Sequence, residues 1–185
     1  MIRNIEFFIS PSGKVMVQRL GCEARELTEN DRELIDEMFE YISTFYTDSF
    51  NALKEVYQQS IFNERYYKFL IVRRFIKCNF GQYASPCDVD EFGVFNFEFV
   101  PCPLRGECKY EDSICNPKFN SSLSGRELEV MKLYVSGKSV DVIAGMLFIS
   151  INTVKNHIKN AFRKVGVHSL AEFIQYANNH NLFKS

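Results

Sequence analysis

The chain of 185 residues lacks any long apolar run. One of its longest, Phe69–Val72, ends at Arg73 and Arg74, far short of the roughly 20 apolar residues that a membrane-spanning helix needs. The first ten residues also lack the basic run and apolar core of a secretory signal. We therefore expect a cytoplasmic protein without a membrane partner.

Catalytic motifs are missing as well. The chain shows no Ser-His-Asp arrangement, no glycine-rich phosphate loop and no His-Glu zinc motif. Of its three histidines, His157 lies in a polar, basic stretch that suits a phosphate or packing role, and His168 and His180 are too far along to share an obvious site with it. We expect that the chain is not an enzyme.

Net charge is nearly absent, at −1, but the charge is unevenly distributed. Residues 121–185 hold eight Lys and Arg against four Asp and Glu, a net charge of +4, which leaves −5 for residues 1–120. With 46% apolar and 24% charged residues, the composition is that of a globular protein and not of a disordered chain. Two small domains are expected, and only the C-terminal one suits contact with phosphates.

Helix signals follow one another in the C-terminal part. Ser124 precedes Glu127 at the spacing of a capping box, and Ser139 and Ser150 are candidate N-caps for two further helices. Gly137 is a helix stop between the first two. Helical spacing of apolar residues follows each cap: Leu128, Met131, Leu133 and Tyr134 in the first helix, and Val142, Ile143, Met146 and Leu147 in the second.

The third helix has two contrasting faces. Its apolar residues recur at the spacing of one buried face: Val154, Ile158, Ala161, Phe162 and Val165. Its opposite face carries side chains that can bond base edges or phosphates: Asn152, Lys155, Asn156, Lys159 and Arg163. Taken alone, this face could equally be a solvated basic surface. The three-residue link Phe148–Ser150 between two helices, however, is typical of a helix-turn-helix.

Residue motifs in this part also carry a family resemblance. Leu123-Ser124-Gly125-Arg126-Glu127, Gly137-Lys138-Ser139, Ile143-Ala144, Ile149-Ser150, Thr153-Val154-Lys155-Asn156-His157 and Lys164-Val165-Gly166-Val167 together resemble the LuxR (GerE, FixJ) family of DNA-binding domains. The resemblance covers about a third of the chain. Gly125, Val142 and the Ala161-Phe162 pair depart from the family pattern, which bears on DNA sequence specificity and not on the fold.

The resemblance implies a four-helix domain at residues 121–185 whose third helix enters the major groove of double-stranded DNA. It places base contacts at Lys155, Asn156 and Lys159, and phosphate contacts at Ser150 and Thr153. It also implies a fourth helix over about Leu170–Asn179, often used for dimerisation, so a homodimer is expected.

Residues 1–118 predict an α+β domain with an effector or oligomerisation role, which makes the chain mainly α with a small β part. Strands are predicted at 5–9 and 15–20, followed by one long helix or two abutting helices between 30 and 60 and a further helix at 64–77. Alternating Phe residues predict another strand at 92–100. This pattern does not fit a phosphorylation-controlled receiver domain, and the effector is not identified.

Four cysteines lie within the segment 87–115: Cys87, Cys102, Cys108 and Cys115. Four thiolates can hold structural zinc or an iron-sulfur cluster, and in a reducing compartment clustered cysteines are more typical of metal ligands than of disulfides. No C-x-x-C pair is present, so zinc, an iron-sulfur cluster and unliganded thiols all stay open. Cys22 and Cys78 are expected to be small buried apolar residues.

The leading hypothesis is a sequence-specific transcription regulator that binds DNA through its C-terminal helix-turn-helix. The alternative is a metal-stabilised protein-interaction module that acts on other regulators without contacting DNA. The exposed polar-basic face of the third helix favours the first hypothesis.

Overall fold

A computed structural model describes residues 2–83, 87–91, 93–180, 182 and 183. The chain divides into two compact units, one ending at Lys118 and the other beginning at Phe119. The N-terminal unit combines helices with a small sheet, and the C-terminal unit is helical, which confirms the predicted fold class. Within the described residues, no helix is long and apolar enough to span a membrane.

The N-terminal unit begins with a three-stranded antiparallel sheet. Strands β1 (Ile5–Ile9) and β2 (Val15–Arg19) were predicted, whereas the two-residue β3 (Arg25–Glu26) was not. Phe7 lies opposite Val17, and both side chains are buried because alternate residues of each strand face the helices. The β1–β2 turn places Gly13 at a φ of +78°, which glycine adopts without strain.

Three helices follow the sheet in the chain, and the last of them packs against β1 and β2. Helices α1 (Arg32–Phe45) and α2 (Thr47–Val56) abut at Tyr46, and a short 3₁₀ helix precedes α3 (Glu64–Asn79). The abundant Phe of the sequence is concentrated here in an aromatic cluster with ring centroids 5.3 to 6.4 Å apart: Tyr46, Phe75, Phe80, Phe95 and Phe97.

A long segment from residue 80 to residue 124 follows α3, and its described residues form no helix and no regular strand. The strand predicted at 92–100 is therefore wrong, with Phe92 itself outside the described residues. Asn96 N–H donates to Asp88 O and Glu98 N–H donates to Asn79 O, so successive hydrogen bonds go to different partners and no ladder forms. Phe95 is buried as expected, but Phe99 is 72% exposed.

The C-terminal unit contains four helices: α4 (Gly125–Val135), α5 (Val140–Leu147), α6 (Ile151–Val165) and α7 (Leu170–Asn179). Each helix begins after a serine whose side chain accepts a backbone N–H three residues on, namely Ser124, Ser139, Ser150 and Ser169. The capping box of Ser124 and Glu127 is present, as predicted. The cap at Ser169 was not foreseen.

The core of this unit brings apolar residues of all four helices together: Val130, Met131, Ile143, Ala144, Val154, Ile158, Ala161, Phe173 and Ala177. One part of the predicted α5 stripe is wrong. Val142 and Met146 are 47% and 50% exposed, because the short α5 buries only Ile143 and Ala144 fully.

Candidate nucleic-acid interface

Helix α6 is delimited by local signals at both ends. Ser150 Oγ accepts the N–H of Thr153 at 3.1 Å, which satisfies one of the free N–H groups of the first turn. Gly166, at a φ of +74°, ends the helix, and Val167 N–H donates back to Phe162 O at 3.0 Å. Arg163 and Lys164 in the last turn complement the negative end of the helix dipole.

The two faces of α6 are the ones predicted. Val154, Ile158 and Ala161 are buried in the core. The polar residues are all exposed and, by their helical spacing, share the opposite face: Asn152, Lys155, Asn156, Lys159 and Arg163. We call this set the α6 polar face. It carries three positive charges and no acidic residue, so it suits a polyanion.

An ion pair fixes α6 against α4. Lys164 Nζ lies 2.7 Å from Glu127 Oε2, the same carboxylate oxygen that accepts the N–H of Ser124 at 2.7 Å in the capping box. Burial opposes ionisation of Glu127, but the bonds from Lys164 and Ser124 outweigh it and lower the pKa of this carboxyl. Lys164 is therefore engaged within the unit. In the α6 polar face, Arg163 Nη2 donates to Asn160 Oδ1 of the same helix at 3.2 Å.

Arg126 ties α4 to the end of α5. Its Nη2 donates to Leu147 O at 2.8 Å and its Nη1 lies 2.6 Å from Glu129 Oε2. This bond fixes the C-terminal end of α5, where the link to α6 begins, against α4. Sequence reasoning missed both this bond and the Lys164–Glu127 pair, because neither follows a helical spacing within one element.

Ser150 and Thr153 lie at the first turn of α6. Ser150 is exposed, and its Oγ is 2.8 Å from Thr153 Oγ1 as well as bonded to the Thr153 N–H. Both hydroxyls are thus part of the N-cap, and the positive end of the helix dipole lies beside them. The same turn can cap the helix and face a phosphate.

Large apolar side chains flank the start of α6, a feature that sequence reasoning did not single out. Phe148 has a left-handed backbone with a φ of +53° and is 94% exposed, and Ile151 is 43% exposed. Phe148 ends α5, where the chain must reverse before α6 begins. Its only sequence signal was an apolar residue inside the predicted link.

The structure places the cysteines differently from the sequence-based set. Among the described residues, no three His, Cys, Asp or Glu side chains are gathered closely enough to hold a metal ion as they stand. Cys78, expected to lie outside the cysteine cluster, is half-buried, and burial raises the pKa of its thiol to about 12. Cys87 instead lies beside β1, where its carbonyl accepts from Asn96 Nδ2 at 2.8 Å. Cys22 was expected to be buried but is exposed.

The C-terminal unit is similar to known proteins. Residues 121–177 match the family model described as bacterial regulatory proteins, luxR family. This segment is a luxR-family domain. The match coincides with the four helices described above, and it confirms the resemblance found in the sequence motifs.

Relatives of the luxR-family domain cover different shares of the chain. The Fimbriae Z protein of Escherichia coli strain K12 is 28% identical over 149 residues, which span 74% of this chain and 70% of that protein. The CsgBAC operon transcriptional regulatory protein of the same strain is 36% identical over 87 residues, 40% of each chain. The spore germination protein GerE of Bacillus subtilis strain 168 is 53% identical over 45 residues, 24% of this chain and 61% of that protein. No solved structure gives a significant match.

Residues 121–177 match a family of regulatory proteins, and the CsgBAC operon protein is by its name a regulatory protein. Both findings agree with the prediction that the chain is not an enzyme.

Proposed function

We propose that the chain is a bacterial transcription regulator that binds double-stranded DNA by inserting α6 into the major groove. The observation that carries this proposal is the α6 polar face. Five donors share one exposed side of the second helix of a helix-turn-helix, within a luxR-family domain. The CsgBAC operon protein, a relative over this region, is by its name a transcriptional regulator.

We assign different DNA contacts to the residues of the α6 polar face and of the first turn of α6. Lys155, Asn156 and Lys159 occupy the middle of the helix and are proposed to contact base edges, where Asn can bond adenine bidentately and Lys can bond guanine. Asn152 and Arg163 lie towards the two ends of α6 and are proposed to contact the flanking DNA. Ser150 and Thr153, at the helix N-terminus, are proposed to face a phosphate.

Assembly involves the N-terminal unit and α7. Residues 1–118 act as an effector or oligomerisation domain, and the regulator binds DNA as a homodimer in the cytoplasm. Helix α7 is the proposed dimer contact, since it buries Phe173 and Ala177 inward and leaves Ala171, Gln175 and Asn178 exposed. A second copy packed there would place two α6 helices on successive turns of the major groove.

The test is binding of the full chain to DNA fragments from upstream of its own gene across a salt series. The double variant Lys155→Ala with Lys159→Ala is compared with Lys132→Ala, which removes an exposed cation from α4. We expect the double variant to lose at least about tenfold in affinity, because a base contact contributes about 1 to 3 kcal/mol. Lys132→Ala should bind nearly as the wild type does.

The salt series adds a second criterion. Wild-type affinity should fall steeply with salt, as expected when lysines displace counterions from phosphates. Equal binding by wild type and double variant, or no binding by either at low salt, would overturn the proposal and favour the protein-interaction alternative.

A further inference from the structure

A groove lies in the C-terminal unit beside α6. It has a volume of about 740 Å³ and is lined by side chains from the end of α4, the start of α5, α6 itself and the turn that follows α6. All of the described lining residues belong to one compact unit. Small-molecule sites in proteins usually have volumes of roughly 300 to 1,000 Å³, so the groove is large enough for such a ligand.

The floor of the groove is apolar. Ile158 and Phe162 lie one turn apart on α6, and Tyr134, Val140 and Val167 add further apolar surface. Phe162, Val140 and Val167 pack against the core of the unit but are only half-buried, so part of each side chain stays in contact with water. A ligand that covers this surface is favoured by the hydrophobic effect.

The rim of the groove is cationic. Lys155, Lys159 and Arg163 follow one another at intervals of four residues, which places them in a row along α6. All three are exposed, and within the described part of the unit the ion pairs use Arg126 and Lys164 instead. No Asp or Glu is among the described residues that line the groove. The groove itself therefore does not neutralise the positive charge of its rim.

The floor and the rim together define the chemistry of a ligand. A carboxylate forms charge-assisted hydrogen bonds with lysine and arginine, whereas an organic cation is repelled by the rim. A small, fully charged anion such as phosphate leaves the apolar floor exposed to water. A molecule with an apolar body and an anionic end matches both the floor and the rim.

We propose that the groove binds a small amphipathic carboxylate. Its apolar body covers Phe162 and Val140, and its carboxylate pairs with the row of cations on α6. Lys155 and Lys159 are also the proposed base contacts, so the ligand and DNA compete for them, and the ligand releases the regulator from its operator. This competition rests on the proposed function, whereas binding of the ligand does not.

Calorimetric titration of the full chain without DNA tests the ligand site, with sodium octanoate as the probe. Octan-1-ol has the chain without the charge, and acetate has the charge without the chain. We expect saturable binding of octanoate and at least about fivefold weaker binding of both controls, because each lacks one half of the recognition. Amide NMR shifts caused by octanoate should cluster at the residues that line the groove.

Two substitutions, each with a matched control, test the lining. Val140→Thr keeps the shape of the side chain but replaces one methyl group of the floor, and should weaken octanoate binding about fourfold. Val142→Thr makes the same change on an exposed part of α5 and should bind as the wild type does. Arg163→Gln should weaken binding about two- to fivefold, and Lys132→Gln should not. Since Arg163 is exposed, its variant keeps the test valid even if Val140→Thr impairs folding.

Regulation is tested by repeating the DNA titration in octanoate and in the same concentration of acetate. Octanoate should lower the DNA affinity of the wild type and acetate should not. Val140→Thr should bind DNA normally and need about fourfold more octanoate for the same effect.

The two proposals fail in different ways. The ligand site is overturned if octanoate does not bind saturably, if octan-1-ol binds equally well, or if the NMR shifts are confined to residues 1–118, even when the chain binds DNA. A peptide of alternating Glu and Leu that binds the groove while octanoate does not would also overturn it, in favour of a protein partner. Octanoate bound in the groove with DNA affinity unchanged would overturn the competition. Octanoate binding by a chain that binds no DNA would support the site and overturn the proposed function.

Discussion

Two buried carboxyl groups, one in each unit, show how a single residue sets the pH dependence of stability. Asp88 is 2% exposed, its Oδ2 accepts the N–H of Phe7 at 2.7 Å, and its own N–H donates to Glu6 Oε2. Burial raises the pKa of Asp88 to about 8, and the neighbouring Glu6 and Glu98 add to the effect while the Phe7 N–H opposes it. The neutral carboxyl is therefore the form that the fold prefers.

The prediction for Asp88 concerns the alkaline side. The folded pKa of Asp88 is raised above the unfolded value of about 3.9. The contribution of Asp88 to stability is therefore fully present below about pH 3.9, and it is lost as the pH rises through about 8. Asp88→Asn keeps an acceptor for the Phe7 N–H and cannot ionise. We expect the variant to be more stable than the wild type at pH 8.5, by at least about 1 kcal/mol, and the difference to shrink at pH 5.

Urea denaturation followed by circular dichroism at the two pH values measures this difference. Glu91→Gln, an exposed carboxyl three residues away, is the control and should leave the pH dependence unchanged. A pH profile of Asp88→Asn that parallels the wild type would contradict the assignment.

Glu127 gives the opposite prediction in the C-terminal unit. The pKa of Glu127 is lower in the folded state than in the unfolded state. Its contribution to the stability of the fold is therefore present above the unfolded pKa of about 4.3 and is lost as the pH falls through the folded pKa. Glu127→Ala removes both the capping-box partner of Ser124 and the partner of Lys164. We expect a loss of about 2 kcal/mol at pH 7 that shrinks in acid, where the wild type loses the same bonds. A loss that is constant down to pH 3 would contradict this.

At the scale of the element, the caps determine where each C-terminal helix begins. Ser150→Ala and Ser169→Ala remove equivalent bonds, of 3.1 and 3.2 Å, from the first turns of α6 and α7. Each should lower the free energy of unfolding by about 1 kcal/mol. Only Ser150→Ala should also weaken DNA binding, because only this cap lies at the proposed phosphate contact. Melting curves and the DNA titration described above separate the two effects, and equal DNA affinity of the two variants would argue against a phosphate at Ser150.

Sequence reasoning succeeded best for these helices. The link between α5 and α6 was predicted correctly, because cap residues and apolar spacing act over only three or four positions. The bounds of α7 were also correct, but they came from the family resemblance. Sequence reasoning failed where a distant partner decides the structure. Phe95 and Phe97 alternate as in a strand, but the residues that follow them, Asn96 and Glu98, donate their N–H groups to two different partners, Asp88 O and Asn79 O.

At the scale of the whole molecule, the two compact units predict separable unfolding. Ser169→Ala should lower the melting temperature of the luxR-family domain by several degrees, as about 1 kcal/mol suffices for that in a domain of this size. The N-terminal unit should melt unchanged. Calorimetry resolves the two transitions, and a shift of both by the same amount would contradict independent units.

The span of the hydrogen bonds in each unit also sets the order in which a growing chain can fold. In the N-terminal unit, the N–H of Phe7 can bond Asp88 only after a further 81 residues have been synthesised, and Asn79 can bond Ile114 only after a further 35. Almost the whole unit therefore has to leave the ribosome before its sheet and its irregular segment can be completed, and contacts of such long range are slow to form. The C-terminal helices close their caps within three residues, so the part of the chain that is synthesised last needs the least time to become native.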